Sequence, residues 1–131
     1  MALDKNAISV VKDLKYGKFE IPEWGGFAHV KSTSVIEQDH LRALFSMLGE
    51  HNKKGEFVPY KTVEAEKYAS DFKLHTVGYA LCDEDGVRLF NNEEIETILS
   101  KKAPEVIDRI FNELGNVLNP SSTKQEDSAS V

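Results

Sequence analysis

Leu74-His75-Thr76-Val77-Gly78-Tyr79-Ala80-Leu81-Cys82 contains no Asp, Glu, Lys or Arg and is apolar on nearly every face of a helix. A segment of that kind is normally surrounded by protein. It predicts the buried end of a helix and, with it, the core of the domain. Traced backwards, the helix reaches Thr62 and so spans 62–82. Its first half is amphipathic, with Ala65, Tyr68, Ala69 and Phe72 on one side. Traced forwards, Asp83-Glu84-Asp85-Gly86 forms a turn in which Gly86 supplies the positive φ. Val87-Arg88-Leu89-Phe90 is short and extended at most.

On the N-terminal side, Ser34-Val35-Ile36-Glu37 has the Ser-x-x-Glu form of a capping box. A helix therefore begins near Val35 and covers about 35–50, where Leu41, Leu44, Phe45 and Leu48 recur at helical spacing and Ile36 and Met47 widen the arc. Gly49 and a loop over 51–55 end it. Further upstream, Phe19 and Ile21 alternate with polar residues, as in a half-buried strand. Pro22 closes that strand, because it cannot donate to a ladder. Gly25-Gly26 allows a reversal, and 27–30 pairs back. The result is a β-hairpin with Trp24 near its turn. Residues 1–17 are too irregular to assign.

On the C-terminal side, Asn91 followed by Glu94 opens a helix running through Ile95, Ile98 and Leu99 to about Lys101. Pro104 suits the first turn of a last helix. There Ile107, Ile110, Phe111, Leu114, Val117 and Leu118 form the cleanest apolar stripe in the chain. The expected fold is α+β and predominantly helical: an N-terminal β-hairpin followed by about four helices. Residues 1–118 form a single domain, and 119–131 form a polar tail with nothing to bury, expected to be disordered.

Composition restricts the function classes. The 131 residues suffice for one core, and 40% hydrophobic with 29% charged residues is an ordinary globular balance. A net charge of −6 with scattered Lys and Arg argues against nucleic acid as a partner. No run approaches the ~18 apolar residues of a membrane span, so no membrane association is expected. The N-terminus lacks a secretory pattern, which points to the cytoplasm. The lone Cys82 excludes an internal disulfide, and its apolar setting suggests packing.

Chemistry finds little support. Asp83, Asp85 and Glu94 fall at positions one, three and twelve of an EF-hand-like loop, but position six is Arg88 where Gly is required, and Val87 offers no side-chain oxygen. A plain turn is the better reading. His29, His40, His51 and His75 show no pairing on one helix, so no metal site is expected. Cys82 and His75 lie about 10 Å apart on a continuous helix, too far for a nucleophile and its base. Neither catalysis nor a cofactor is expected. Large hydrophobes outside the predicted core remain: Trp24 at the hairpin, and Phe57, Val58 and Tyr60 between helices. They either cap the core or anchor a partner protein.

Three stretches carry a resemblance. Lys18-Phe19-Glu20-Ile21-Pro22-Glu23-Trp24-Gly25-Gly26, followed by a strand ending in Lys31 and then Ser/Thr and a helix, resembles the start of the tail assembly chaperones of long-tailed bacteriophages. Ala80-Leu81-Cys82-Asp83-Glu84-Asp85-Gly86-Val87-Arg88-Leu89-Phe90 resembles their junction of apolar helix, Asp-x-x-Gly and short strand. Asn112-Glu113-Leu114-Gly115-Asn116-Val117-Leu118-Asn119 looks like their last helix running into a polar tail. The likeness covers roughly 16–120.

What the resemblance implies is specific. Such chaperones bind the tape measure protein and keep it soluble until tail-tube subunits polymerise around it. In many phages a programmed frameshift yields a longer form whose added domain recruits the tail-tube protein. Self-association, a place in the bacterial host cytoplasm and absence from the mature virion are then expected. The competing expectation is a structural minor tail or connector protein retained in the virion.

Overall fold

A computed structural model describes residues 2–118; the expected polar tail over 119–131 lies outside the described residues. The elements in chain order are α1 (Lys5–Val10), β1 (Tyr16–Ile21), β2 (Gly26–Lys31), α2 (Val35–Ser46), β3 (Gly49–His51), β4 (Phe57–Pro59), α3 (Val63–Ala80), β5 (Leu81–Cys82), α4 (Asn92–Thr97) and α5 (Pro104–Leu118). The fold is α+β and dominated by helices, as the sequence predicts.

The hairpin forms with full register, from Tyr16 opposite Lys31 to Ile21 opposite Gly26. Its turn is a short 3-10 segment, Pro22–Trp24, closed by Gly25 at a φ of 76°. Only a residue without a Cβ takes that conformation at no steric cost. The starts of α2 and α4 are also where the caps put them. Ser34 and Glu37 cap α2 reciprocally, Asn91 and Glu94 do the same for α4, and Thr62 accepts from the Ala65 amide at the start of α3. α1 was not assigned from sequence. Asp4 caps it, yet it buries none of its residues.

The long helix differs from expectation at its end. It stops at Ala80, and Leu81 and Cys82 become β5, pairing antiparallel with β2 through Val30↔Leu81 and His29↔Cys82. The three-stranded sheet therefore has the order β1-β2-β5. A short, uncharged apolar run satisfies a buried strand as well as a buried helix. Here the free edge of β2 decides, because it offers the backbone of 81–82 hydrogen-bond partners that a frayed helix end would lack.

α2 is also shorter than the expected 35–50. From Gly49 the chain pairs with β4 as a second small hairpin, with Glu50 opposite Val58 and His51 opposite Phe57. A Cβ on Gly49 would sit 2.3 Å from the Val58 carbonyl oxygen, so this crossing tolerates no side chain. Ile36 and Met47 were expected to extend the apolar arc of α2 but are 83% and 47% exposed; of the expected positions only Leu41 is buried.

The core gathers where α3 meets the sheet, α4 and α5. Val30, Val77, Leu81, Ile95, Leu99 and Ile110 are fully buried there. α5 contributes its stripe through Val106, Ile107, Ile110, Leu114 and Leu118. Gly78 sits at the tightest crossing: a Cβ there would lie 2.5 Å from the side chain of Ile95. The short α4 can approach α3 this closely only because residue 78 is glycine.

Candidate functional site

Four of the chain's seven phenylalanines line up across four elements. Phe57 on β4 stacks on Phe45 of α2, with ring centroids 5.2 Å apart. Phe45 meets Phe72 of α3 at 5.6 Å, and Phe72 meets Phe111 of α5 at 6.2 Å. Such pairs contribute roughly 0.5–1.5 kcal/mol each beyond simple burial. The row of rings does not close into a core, however. Phe45 remains 43% exposed and Phe57 38% exposed.

These rings line an open groove of about 700 Å³ bounded by α2, α3, α5 and the β3–β4 hairpin. Leu41, Ala80, Leu114 and Leu118 form its buried floor. Lys31, Arg42 and His51 lie along it, whereas no Asp or Glu does. That is an unusual local balance in a chain of net charge −6. A groove of this size, lined by aromatic and aliphatic groups with a few polar ones, has the character of a binding site for an apolar ligand or partner segment.

Phe57 lies in this groove. Val58 and Tyr60, the other two hairpin candidates, are exposed beside it, and neither lines it. Tyr60 is held in place by its amide, which donates to the Leu48 carbonyl at 2.7 Å. Trp24 lies elsewhere, in a separate depression with Ile21, Phe27, Leu89 and Phe90. The four candidate residues therefore do not form one patch. Helical spacing places Phe45, Phe72, Phe111 and Leu114 on core stripes; Leu114 is buried as expected, Phe72 and Phe111 are half-buried, and Phe45 is exposed. Phe45, Phe57, Phe72 and Phe111 are far apart along the chain, so no local sequence signal marks the groove.

α2 and α3 share a second, polar seam. His40 Nδ1 and the Tyr79 hydroxyl lie 2.5 Å apart, and the His40 and His75 rings meet edge to face at 5.2 Å. His75 Nδ1 lies 2.9 Å from the Asp71 carbonyl, and its Nε2 lies 3.7 Å from Glu96. Arg88 stacks over the Tyr79 ring at 4.6 Å, faces the buried Glu37 at 3.4 Å and donates to Asn92 at 2.9 Å. The seam joins α2, α3, α4 and the 83–90 connection. Burial pushes the Tyr79 hydroxyl above its usual range, with Glu37 and Glu96 adding to the rise and Arg88 opposing it. The two histidines that meet here come from different helices, which is why spacing along the chain did not pair them.

The acidic loop is a hydrogen-bonded turn. Asp83 accepts from the amides of Asp85 and Val87 at 2.8 and 3.0 Å. Those backbone donors, Val87 first, hold its carboxyl below the usual range against a smaller opposing effect of desolvation. Burial pushes the Cys82 thiol up, Asp83 adds to this and Lys31 opposes it, so the buried thiol stays protonated at neutral pH. Among the described residues no three His, Cys, Asp or Glu side chains group as a metal site, and no helix is long and apolar enough to cross a membrane.

The backbone arrangement has a counterpart among solved structures. The tail assembly chaperone of bacteriophage HK97 superposes with a TM-score of 0.62 at 15% identity, covering 87% of this chain and 96% of that one. This chain has a tail assembly chaperone-like fold. At that identity the likeness is one of fold, and it extends over nearly the whole of the HK97 protein. No family model matches the sequence, and no curated protein matches it.

Proposed function

We propose that this protein is a bacteriophage tail assembly chaperone, acting by binding rather than by catalysis. Its client is the tape measure protein, which it keeps soluble until tail-tube subunits assemble around it. Copies of the chain associate with one another along that client in the host cytoplasm and leave before the virion is complete. A longer frameshifted form recruits the tail-tube protein.

The observation that carries this reading is an open aromatic groove on a chaperone-like fold. Phe45 and Phe57 stay substantially exposed although they stack on one another. A long helical client exposes apolar stripes before assembly, and a binder with an apolar groove covers them. Many modest contacts along one client add up through multivalency while each subunit remains releasable.

Co-expression with the tape measure protein tests the reading. The expected outcome is a shift of that protein into the soluble fraction, with the two chains co-purifying. A tape measure protein as insoluble as when expressed alone would overturn it. Mass spectrometry of purified virions separates the chaperone from a retained structural component, which would be detected in the particle.

A further inference from the structure

We infer that the groove between α2, α3, α5 and the β3–β4 hairpin takes one helical segment of a partner protein whose apolar stripe is flanked by Asp or Glu. Two observations fix that chemistry. The first concerns backbone hydrogen bonding. Most of the groove wall is built from the side chains of three helices, whose backbone N–H and C=O groups are, away from the last turns, paired within the helix itself. An extended peptide laid there would find few partners for its backbone, and unpaired backbone groups are expensive to bury. A helix satisfies its own backbone and presents only side chains. Its i, i+3, i+4 and i+7 apolar residues then pack against Phe45, Phe57, Phe72 and Phe111.

The second observation is charge. Lys31 and Arg42 line the groove, and neither forms an ion pair among the described residues. No carboxylate lines it. Both cations are thus available to a partner, and a basic flank on that partner would meet like charge. Complementary charge of this sort sets orientation and choice of partner more than raw affinity. A helix flanked by Asp or Glu therefore fits, and the same helix flanked by Lys is disfavoured.

This inference deepens the chaperone reading and rests on it only for the identity of the client. The test uses the full chain and two fluorescein-labelled helical peptides of about 20 residues, long enough to hold helix. Both carry the same Leu/Phe stripe, and one is flanked by Glu, the other by Lys. At low salt, fluorescence anisotropy should give about three- to tenfold tighter binding for the Glu-flanked peptide. The double variant Lys31→Glu with Arg42→Glu should reverse that order, and Phe45→Ser should weaken both peptides together. Circular dichroism confirms that the variants fold. Equal binding of the two peptides, or an order unchanged in the double variant, would overturn the inference. So would failure of both peptides to bind while Arg42→Glu dissociates oligomers in sedimentation, because the groove would then be an interface between copies.

The two failures are distinguishable. Peptides that bind as expected while the tape measure protein stays insoluble sink only the chaperone reading. A tape measure protein solubilised equally by the wild type and the charge-reversed variant sinks only the groove assignment.

Discussion

α3 passes through two environments. At its C-terminal end Val77, Gly78, Tyr79 and Ala80 are all buried, and the helix backbone approaches Ile95 so closely that a Cβ on Gly78 would lie 2.5 Å away. One turn earlier, Phe72 and Thr76 form one wall of an open groove in which neighbouring Phe45 is 43% exposed. The first region has used all its apolar surface in packing. The second has kept some available. Substitutions at the closed end should therefore cost stability and leave binding alone in whatever protein still folds. Substitutions at the open end should do the reverse.

The largest effect is expected from Ile95→Ala. This fully buried side chain packs against the Gly78 backbone, and its loss should reduce unfolding free energy in denaturant titration by about 2–5 kcal/mol. Gly78→Ala comes next. Alanine gains up to ~1 kcal/mol in helix propensity over glycine, but overpacking against a buried Ile95 costs about 1–3 kcal/mol, so the net change should be destabilising. If contact with Ile95 is the cause, the two substitutions combined should cost less than their sum, and strict additivity would break this account of the closed end.

Arg88→Met should cost about 1–3 kcal/mol, since it strips the ion-pair partner from the buried Glu37. Phe45→Ser should lower stability by only about 1 kcal/mol, because nearly half of that ring already faces solvent. A loss as large as that for Ile95→Ala would show that the groove is part of the core, which would erase the contrast. The pH dependence should be the smallest effect. Tyr79 has a raised pKa in the folded state, so the folded protein holds that proton more tightly than the unfolded chain. Stability is then fully present below the unfolded tyrosine value, near 10, and declines as the pH rises above it. Tyr79→Phe should flatten that decline in a pH series of thermal melts.

The closed region was legible in the sequence and the open one was not, for physical reasons. Capping residues such as Ser34 and Asn91 act within a single helical turn, so they located helix starts. The uncharged 74–82 run identified the core correctly even though its last two residues form a strand. The choice between helix and strand there depends on the edge of β2, some fifty residues distant in sequence. The β3–β4 hairpin escaped notice because each strand is only three residues long, too short for a period to show. Groove residues such as Phe45 and Phe72 follow the same helical spacing as core residues. Whether a ring at such a position is covered depends on tertiary packing, which periodicity does not encode. Trp24 and Phe57 were singled out for their size, and only their placement reveals that they lie in different depressions.

Hydrogen–deuterium exchange on the protein alone and on its complex with the tape measure protein tests the central claim most directly. Amides in 38–46, 49–59 and 111–118, which surround the groove, should exchange more slowly in the complex, while the hairpin turn around Trp24 should be unchanged. Protection confined to 22–28, with the groove segments exchanging as in the free protein, would contradict the account.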